Sequence, residues 1–195
     1  MTSDKLWKRW WNKRADKRKD VGSVCRKSVH PYLPGESEAT GGFYEIVAPV
    51  PGDVYALEDV PDETFSQGIL GDGAAILPAE DYISAPAAGT INYVAATGHV
   101  MGLLLDNGIQ VLIHVGINTV QLDGKYFHVL AEMGERVTPG TPILRFDRGE
   151  ILRKGYSLMT PVIVTHEDRE LEVRAVSQRN VARGEKFLKV TVISK

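Results

Sequence analysis

Two histidines stand out as residues that could do chemistry, His99 and His114, each in an otherwise apolar run. The first run is Thr97-Gly98-His99-Val100-Met101-Gly102-Leu103-Leu104-Leu105 and the second is Ile109-Gln110-Val111-Leu112-Ile113-His114-Val115-Gly116. Between them lies Asp106-Asn107-Gly108. Asn-Gly between two apolar runs is the strongest short hairpin signal. With Asn107 and Gly108 as the two central residues of a type I′ turn, Met101 is expected opposite His114, His99 opposite Gly116, and Thr97 opposite Asn118. Strand side chains alternate between faces, so this register puts both imidazoles on one face, one diagonal step apart.

Neighbouring imidazoles resist double protonation, so one ring stays neutral near neutral pH. A neutral imidazole serves as a nucleophile, a base or a metal ligand, and the pattern alone does not choose. A lone histidine in a strand is more often a hydrogen-bonded structural residue. Two converging ones, with Gly98, Gly102 and Gly116 leaving room, point to a site. His30, His128 and His166 have no such partners and read as surface or loop residues.

Other chemistries fall away. The chain has no G-x-x-x-x-G-K-[ST] or G-x-G-x-x-G loop and no G-x-S-x-G elbow. His166-Glu167 opens like a zinc-protease motif, but Glu170 stands where the second histidine belongs. The single Cys25 excludes a disulfide framework and a thiolate zinc cage.

The elements that must position the pair are short. Glu45–Ala48, Gly73–Leu77, Gly89–Val94, Thr141–Phe146 and Pro161–Val164 are further apolar runs rich in β-branched residues and bounded by turn residues. They predict an all-β antiparallel sandwich or barrel. Short helices or turns are expected at Pro61–Ser66 and Phe127–Gly134, and a turn at Gly71-Asp72-Gly73. Ala85–Thr90 and Glu135–Thr141 look alike, which hints at internal pseudo-symmetry. With 43% apolar residues in a chain of 195, the core is sizeable and the bulk of the chain is globular.

Charge divides the chain. Residues 1–30 hold ten Lys/Arg and three Asp/Glu, while residues 31–195 hold thirteen and twenty-two. Residues 1–30 therefore read as a basic amphipathic arm, 31–42 as a linker and 43–195 as the globular domain. Leu6, Trp7, Trp10 and Trp11 cluster at helical spacing beside Lys8, Arg9, Lys13, Lys17 and Lys19. That composition suits an anionic membrane surface, through residues 3–19. Nucleic acid is not expected as a partner, since the rest of the chain is acidic. With neither a signal peptide nor a spanning segment in view, the expected location is cytoplasmic, with peripheral membrane contact through the arm.

Residues 46–193 resemble the glucose-type IIA domain of the bacterial phosphoenolpyruvate-dependent sugar phosphotransferase system. The matching blocks, in order, are Ala48-Pro49-x-x-Gly52, Leu57-Glu58-Asp59-Val60-Pro61-Asp62, Gly71-Asp72-Gly73-x-Ala75-Ile76, Ala85-Pro86-x-x-Gly89-Thr90-Ile91, Thr97-x-His99, Asp106-x-Gly108, His114-x-Gly116-Ile117-x-Thr119, Phe146-Asp147 and Thr160-Pro161-Val162. The resemblance implies a β-sandwich of the barrel-sandwich hybrid type, a duplicated hybrid motif. It implies that His114 accepts a phosphoryl group from the histidine phosphocarrier protein HPr and passes it to a cysteine on a IIB domain. It implies that His99 helps hold that group and that Thr97 belongs to the same hydrogen-bond network. No cofactor is implied, and His99 and His114 would be at most weak zinc ligands.

Two departures are visible. Asn118 stands where the family usually has Asp, and Met101 and Val115 stand where it often has Phe beside each histidine. An alternative on the same fold is a regulatory binding protein that docks according to phosphorylation state. A zinc endopeptidase needs an H-x-H pair and an H-x-x-x-D pair, but Gly116 and Asn118 follow His114 at those spacings. A biotinyl or lipoyl carrier needs a lysine at a hairpin tip, which is lacking.

Overall fold

The computed structural model describes residues 43–165, 170–176 and 179–194. The basic arm, the linker, Cys25, His30 and His166 lie outside the described residues. Fourteen strands and two short α-helices are present among them.

The largest sheet has eight strands. From edge to edge these are Asn180–Val181 (β13), Gly52–Ala56 (β2), Asp72–Pro78 (β3), Thr160–Thr165 (β11), Gln110–His114 (β7), Val100–Leu105 (β6), Gly89–Val94 (β5) and Arg136–Val137 (β9). A three-stranded sheet orders Phe43–Val47 (β1), Lys186–Ser194 (β14) and Glu170–Ala175 (β12). Another orders Tyr82–Ser84 (β4), Pro142–Phe146 (β10) and Phe127–Val129 (β8). The pairings are antiparallel throughout. The all-β antiparallel sandwich expected from the apolar runs is the observed architecture, with few and short helices.

β6 and β7 are central strands buried on both faces. Met101, Leu103, Val111 and Ile113 face one apolar cluster with Ile46, Ile76, Ile83 and Phe146. Val100 and Leu112 face a second one with Leu57, Val60, Phe65, Leu70, Ile117 and Ile163. This is why their sequences are almost continuously apolar instead of alternating.

The turn joining them differs from the expected type I′. Leu105 N–H donates to Ile109 O at 2.8 Å and Gly108 N–H to Leu105 O at 2.9 Å, so three residues, Asp106 to Gly108, form the loop. Only Gly108 among them has a positive φ, +81°. The Asn107 side chain accepts the Ile109 N–H at 2.9 Å and holds this form. The extra loop residue shifts the register by one, so Val100, not Met101, lies opposite His114. The ladder ends at that pair and does not match Thr97 with Asn118.

Gly71-Asp72-Gly73 is not a turn. β3 begins at Asp72, and a Cβ on Gly73 would lie 2.0 Å from Val162 O, so this glycine lets β3 and β11 close up. Pro61–Ser66 yields a short helix, Glu63–Ser66 (α1), capped by Asp62, whose carboxylate accepts Thr64 N–H at 2.8 Å. Phe127–Gly134 begins as a strand instead of a helix, because β8 pairs with β10. Arg148–Arg153 (α2) was not foreseen, although Asp147 caps it by accepting Glu150 N–H at 2.9 Å and Glu150 pairs with Arg153. The two look-alike segments lie side by side: Gly89 pairs with Val137, and Ala85 N–H donates to Thr141 O at 2.8 Å.

Candidate functional site

His114 ends β7 and His99 lies in the bend that enters β6. Val115 N–H donates to His99 O at 2.8 Å, so continued pleating would send the two rings to opposite faces. They meet all the same. Gly98 is left-handed, φ +70°, and the chain around His99 is a bend and not a strand, which turns the ring across. The ring centroids are 4.9 Å apart with perpendicular planes. The two imidazoles are thus brought together by an irregular strand entry, not by the diagonal register.

Each ring has its Nδ1 occupied. His114 Nδ1 lies 2.8 Å from Gly116 O. A carbonyl only accepts, so in the neutral ring Nδ1 carries the proton and Nε2 keeps its lone pair. His99 Nδ1 lies 2.6 Å from the Thr97 hydroxyl, which can donate or accept. A hydroxyl donating to Nδ1 leaves the proton on Nε2, where the N–H can donate a hydrogen bond to a ligand.

The loop after β7 is tied down closely. Thr119 Oγ1 donates to Val115 O at 2.6 Å and is fully buried, while Ile117 N–H donates to Ser157 O at 3.0 Å. Gly116 has φ +73°, and a Cβ there would lie 2.5 Å from Thr119 Cγ2 and 2.8 Å from Ser157 O. No other residue type fits that position without displacing its neighbours.

Burial governs the electrostatics. His99 is 6% exposed. Burial, reinforced by the nearby His114, pushes its pKa down to about 3. Burial also lowers His114 to about 4, opposed by the Gly116 carbonyl first and by the Asp62 charge next. Both rings are therefore neutral at physiological pH. Among the described residues, no group of three or more His, Cys, Asp or Glu side chains is placed to hold a metal ion.

The apolar walls are not the ones expected. Met101 and Val115 are fully buried in the core. Aromatic neighbours come from elsewhere: Phe65 of α1 meets the His114 ring edge-on at 5.1 Å, and Phe127 of β8 meets His99 at 6.3 Å. Phe65, Phe127, Asp62, Thr119 and Ser157 were missed as site residues. Asp62 and Thr119 sit within the conspicuous blocks, so a local signal existed for them. Ser157 contributes a backbone oxygen, for which the sequence carries no signal. Asn118 is exposed and left-handed, φ 60° and ψ 15°, and its side chain caps nothing in the 3-10 turn Thr119–Leu122 that it precedes. His128 is exposed on β8.

The arrangement offers one free imidazole nitrogen flanked by a second imidazole able to donate, beside two phenylalanine rings. The chain is similar to known proteins over most of its length. The family of the phosphoenolpyruvate-dependent sugar phosphotransferase system, EIIA 1, matches residues 44–170. The glucose-specific EIIA component of Staphylococcus aureus is 38% identical over 148 residues, covering 75% of this chain and 89% of the relative. That of Staphylococcus epidermidis is 36% identical over 159 residues, covering 81% and 96%. The solved structure of glucose permease IIA from Mycoplasma capricolum superposes with a TM-score of 0.72 at 27% identity, covering 78% of this chain and 99% of that one. This chain therefore belongs to the EIIA 1 family of the phosphoenolpyruvate-dependent sugar phosphotransferase system.

Proposed function

We propose that the chain carries a phosphoryl group on His114 Nε2 and uses His99 to hold it. The observation that supports this most directly is the His114 Nδ1–H bond to Gly116 O, which leaves Nε2 as the free nucleophilic nitrogen. In the forward step, Nε2 attacks the phosphorus of a phosphohistidine on HPr. The new N–P bond forms as the N–P bond on the donor breaks. His114 keeps its Nδ1 proton, and the positive charge gained by the ring strengthens the bond to Gly116 O. His99, with Thr97 bonded to its Nδ1, donates a hydrogen bond from its Nε2–H to a phosphoryl oxygen and keeps the proton. Transfer of this kind needs positioning and charge stabilisation more than covalent help. A thiolate on a IIB domain then takes the group during sugar uptake, and the chain acts in the cytoplasm.

Residues 43–195 form the carrier domain, and residues 3–19 contact anionic membrane from their composition of Trp, Lys and Arg. Anionic vesicles should co-sediment the full chain and not a chain starting at Gly42, and salt should weaken the binding.

Reconstitution with phosphoenolpyruvate, enzyme I and HPr, read by intact mass, tests the carrier role. The unaltered chain should gain one phosphoryl group. His114→Ala should gain none, and His99→Gln should still gain one but pass it on slowly. A phosphoryl adduct on His114→Ala overturns the nucleophile. No adduct on the unaltered chain hands the function to the regulatory reading, in which docking rather than transfer is the output.

A further inference from the structure

The segment from Gly116 to Phe127 touches the supports of both histidines. Gly116 O holds His114 Nδ1 at its start. Gly124 lies against the backbone of Thr97, where an added Cβ would sit 3.6 Å from Thr97 Cα. Thr97 in turn bonds His99. Phe127 closes the segment with its ring 6.3 Å from that of His99.

This segment is also where the backbone is most unusual. Gly116, Asn118, Asp123, Gly124 and Tyr126 all have positive φ, and the three residues Asn118, Asp123 and Tyr126 are the non-glycine cases among the described residues. Asn and Asp tolerate that conformation, because their short polar side chains fit it. Tyrosine does not, and φ +74° for Tyr126 is an outlier that its surroundings must impose. They do so on three sides. The Tyr126 ring packs against the main core. Its carbonyl accepts Asp147 N–H at 2.9 Å, and the next N–H, that of Phe127, donates to Gly124 O at 3.4 Å. Asp147 is itself fixed as the cap of α2.

We propose that Tyr126 is a positioning residue for phosphoryl transfer, acting through Phe127 on His99. Its clamped left-handed backbone sets the direction in which Phe127 enters β8, and Phe127 limits where the His99 ring can lie beside His114. This rests on the roles assigned above to His99 and His114.

Three variants test it. Tyr126→Phe keeps the packed ring and should transfer to the IIB cysteine at the unaltered rate. Tyr126→Gly adopts positive φ freely but is no longer pinned by a ring, so Phe127 gains freedom. It should still accept one phosphoryl group on His114 yet pass it on about tenfold more slowly, less than the roughly hundredfold that a misplacement of about 1 Å can cost. Phe127→Leu, which keeps apolar volume without the aromatic edge, should slow transfer in the same direction and serves if Tyr126→Gly folds poorly. The decisive measurement is the pair His99→Gln with Tyr126→Gly. If Tyr126 acts through His99, the second substitution adds nothing to the slow transfer of the first. An equal further slowing, or transfer at the unaltered rate by both Tyr126→Gly and Phe127→Leu, overturns the inference. Failure of the underlying reading looks different, since His99→Gln alone would then transfer at the unaltered rate.

Discussion

The hairpin of β6 and β7 has two unlike ends. At one end, three residues turn the chain, Asn107 and Gly108 with local hydrogen bonds, and the charges nearby are exposed: Asp106 pairs with Arg136 at 2.7 Å in the open. At the other end the ladder stops at Val100 and His114, two glycines are left-handed, and Thr97, His99, His114 and Thr119 are buried or half-buried. Regular pairing closes the first end cheaply. The second end gives up regular pairing, and that irregularity lets two imidazoles from out-of-step positions meet. The proposed site lies where the backbone departs from the sheet, with Thr119, Ser157, Phe65 and Phe127 packed around it.

The two ends should answer substitution very differently. Gly116→Ala should be the most damaging to stability, on the order of 2–5 kcal/mol, because it adds a clash with Ser157 O to a left-handed backbone. Urea denaturation measures this; a loss below about 1 kcal/mol would mean that the loop has slack the geometry denies.

Acid should act through the same end. In the folded chain burial holds His99 near 3 and His114 near 4, while in the unfolded chain each takes its proton near the ordinary histidine value. Between those limits the unfolded state binds more protons, so stability is full above about pH 6.5 and falls as pH drops towards 4. The loss at about pH 5 should be on the order of 2 kcal/mol per histidine. The charged or titratable groups that act on the pair are the two rings themselves and Asp62, whose charge opposes the lowering of His114 after the Gly116 carbonyl does. Comparing unfolding of the parent and His99→Gln at about pH 7 and 5 isolates the His99 share. Parallel pH dependence in the two would show that His99 is solvated in solution.

Asn118→Asp should change stability by less than about 0.5 kcal/mol, since the side chain is exposed, caps nothing, and either residue tolerates the left-handed backbone. It should change the transfer rate without moving the proposed phosphorylation site from His114, which peptide mapping would show. Smallest of all, Arg136→Ala at the turn end should leave the melting temperature essentially unchanged, because the ion pair with Asp106 is exposed and screened.

Much of this molecule was legible as sequence. The apolar run at Gly89–Val94 became β5 residue for residue, and the run from Thr97 to Leu105 became β6 from Val100 on, because β-branched and aliphatic stretches bounded by turn residues have few other ways to be buried. His99 and His114 were conspicuous because nothing in a doubly buried strand calls for an imidazole. The place of the hairpin turn was equally plain from Asn107-Gly108. Its form was not. A single loop residue, added because the Asn107 side chain takes the Ile109 N–H, moves every partner across the pair by one and exchanges the faces.

What the sequence by itself determined is therefore the inventory: two histidines on neighbouring strands, the glycines around them, an all-β frame and a charge-divided chain. Tertiary structure alone decided the geometry. It set the register, turned His99 across the strand entry, and brought Phe65 and Phe127 to the rings in place of Met101 and Val115. The physical reason is range. Strand formation is set by a few adjacent residues, whereas the surroundings of each imidazole come from a helix, a loop and a second sheet that only packing of the whole core brings together.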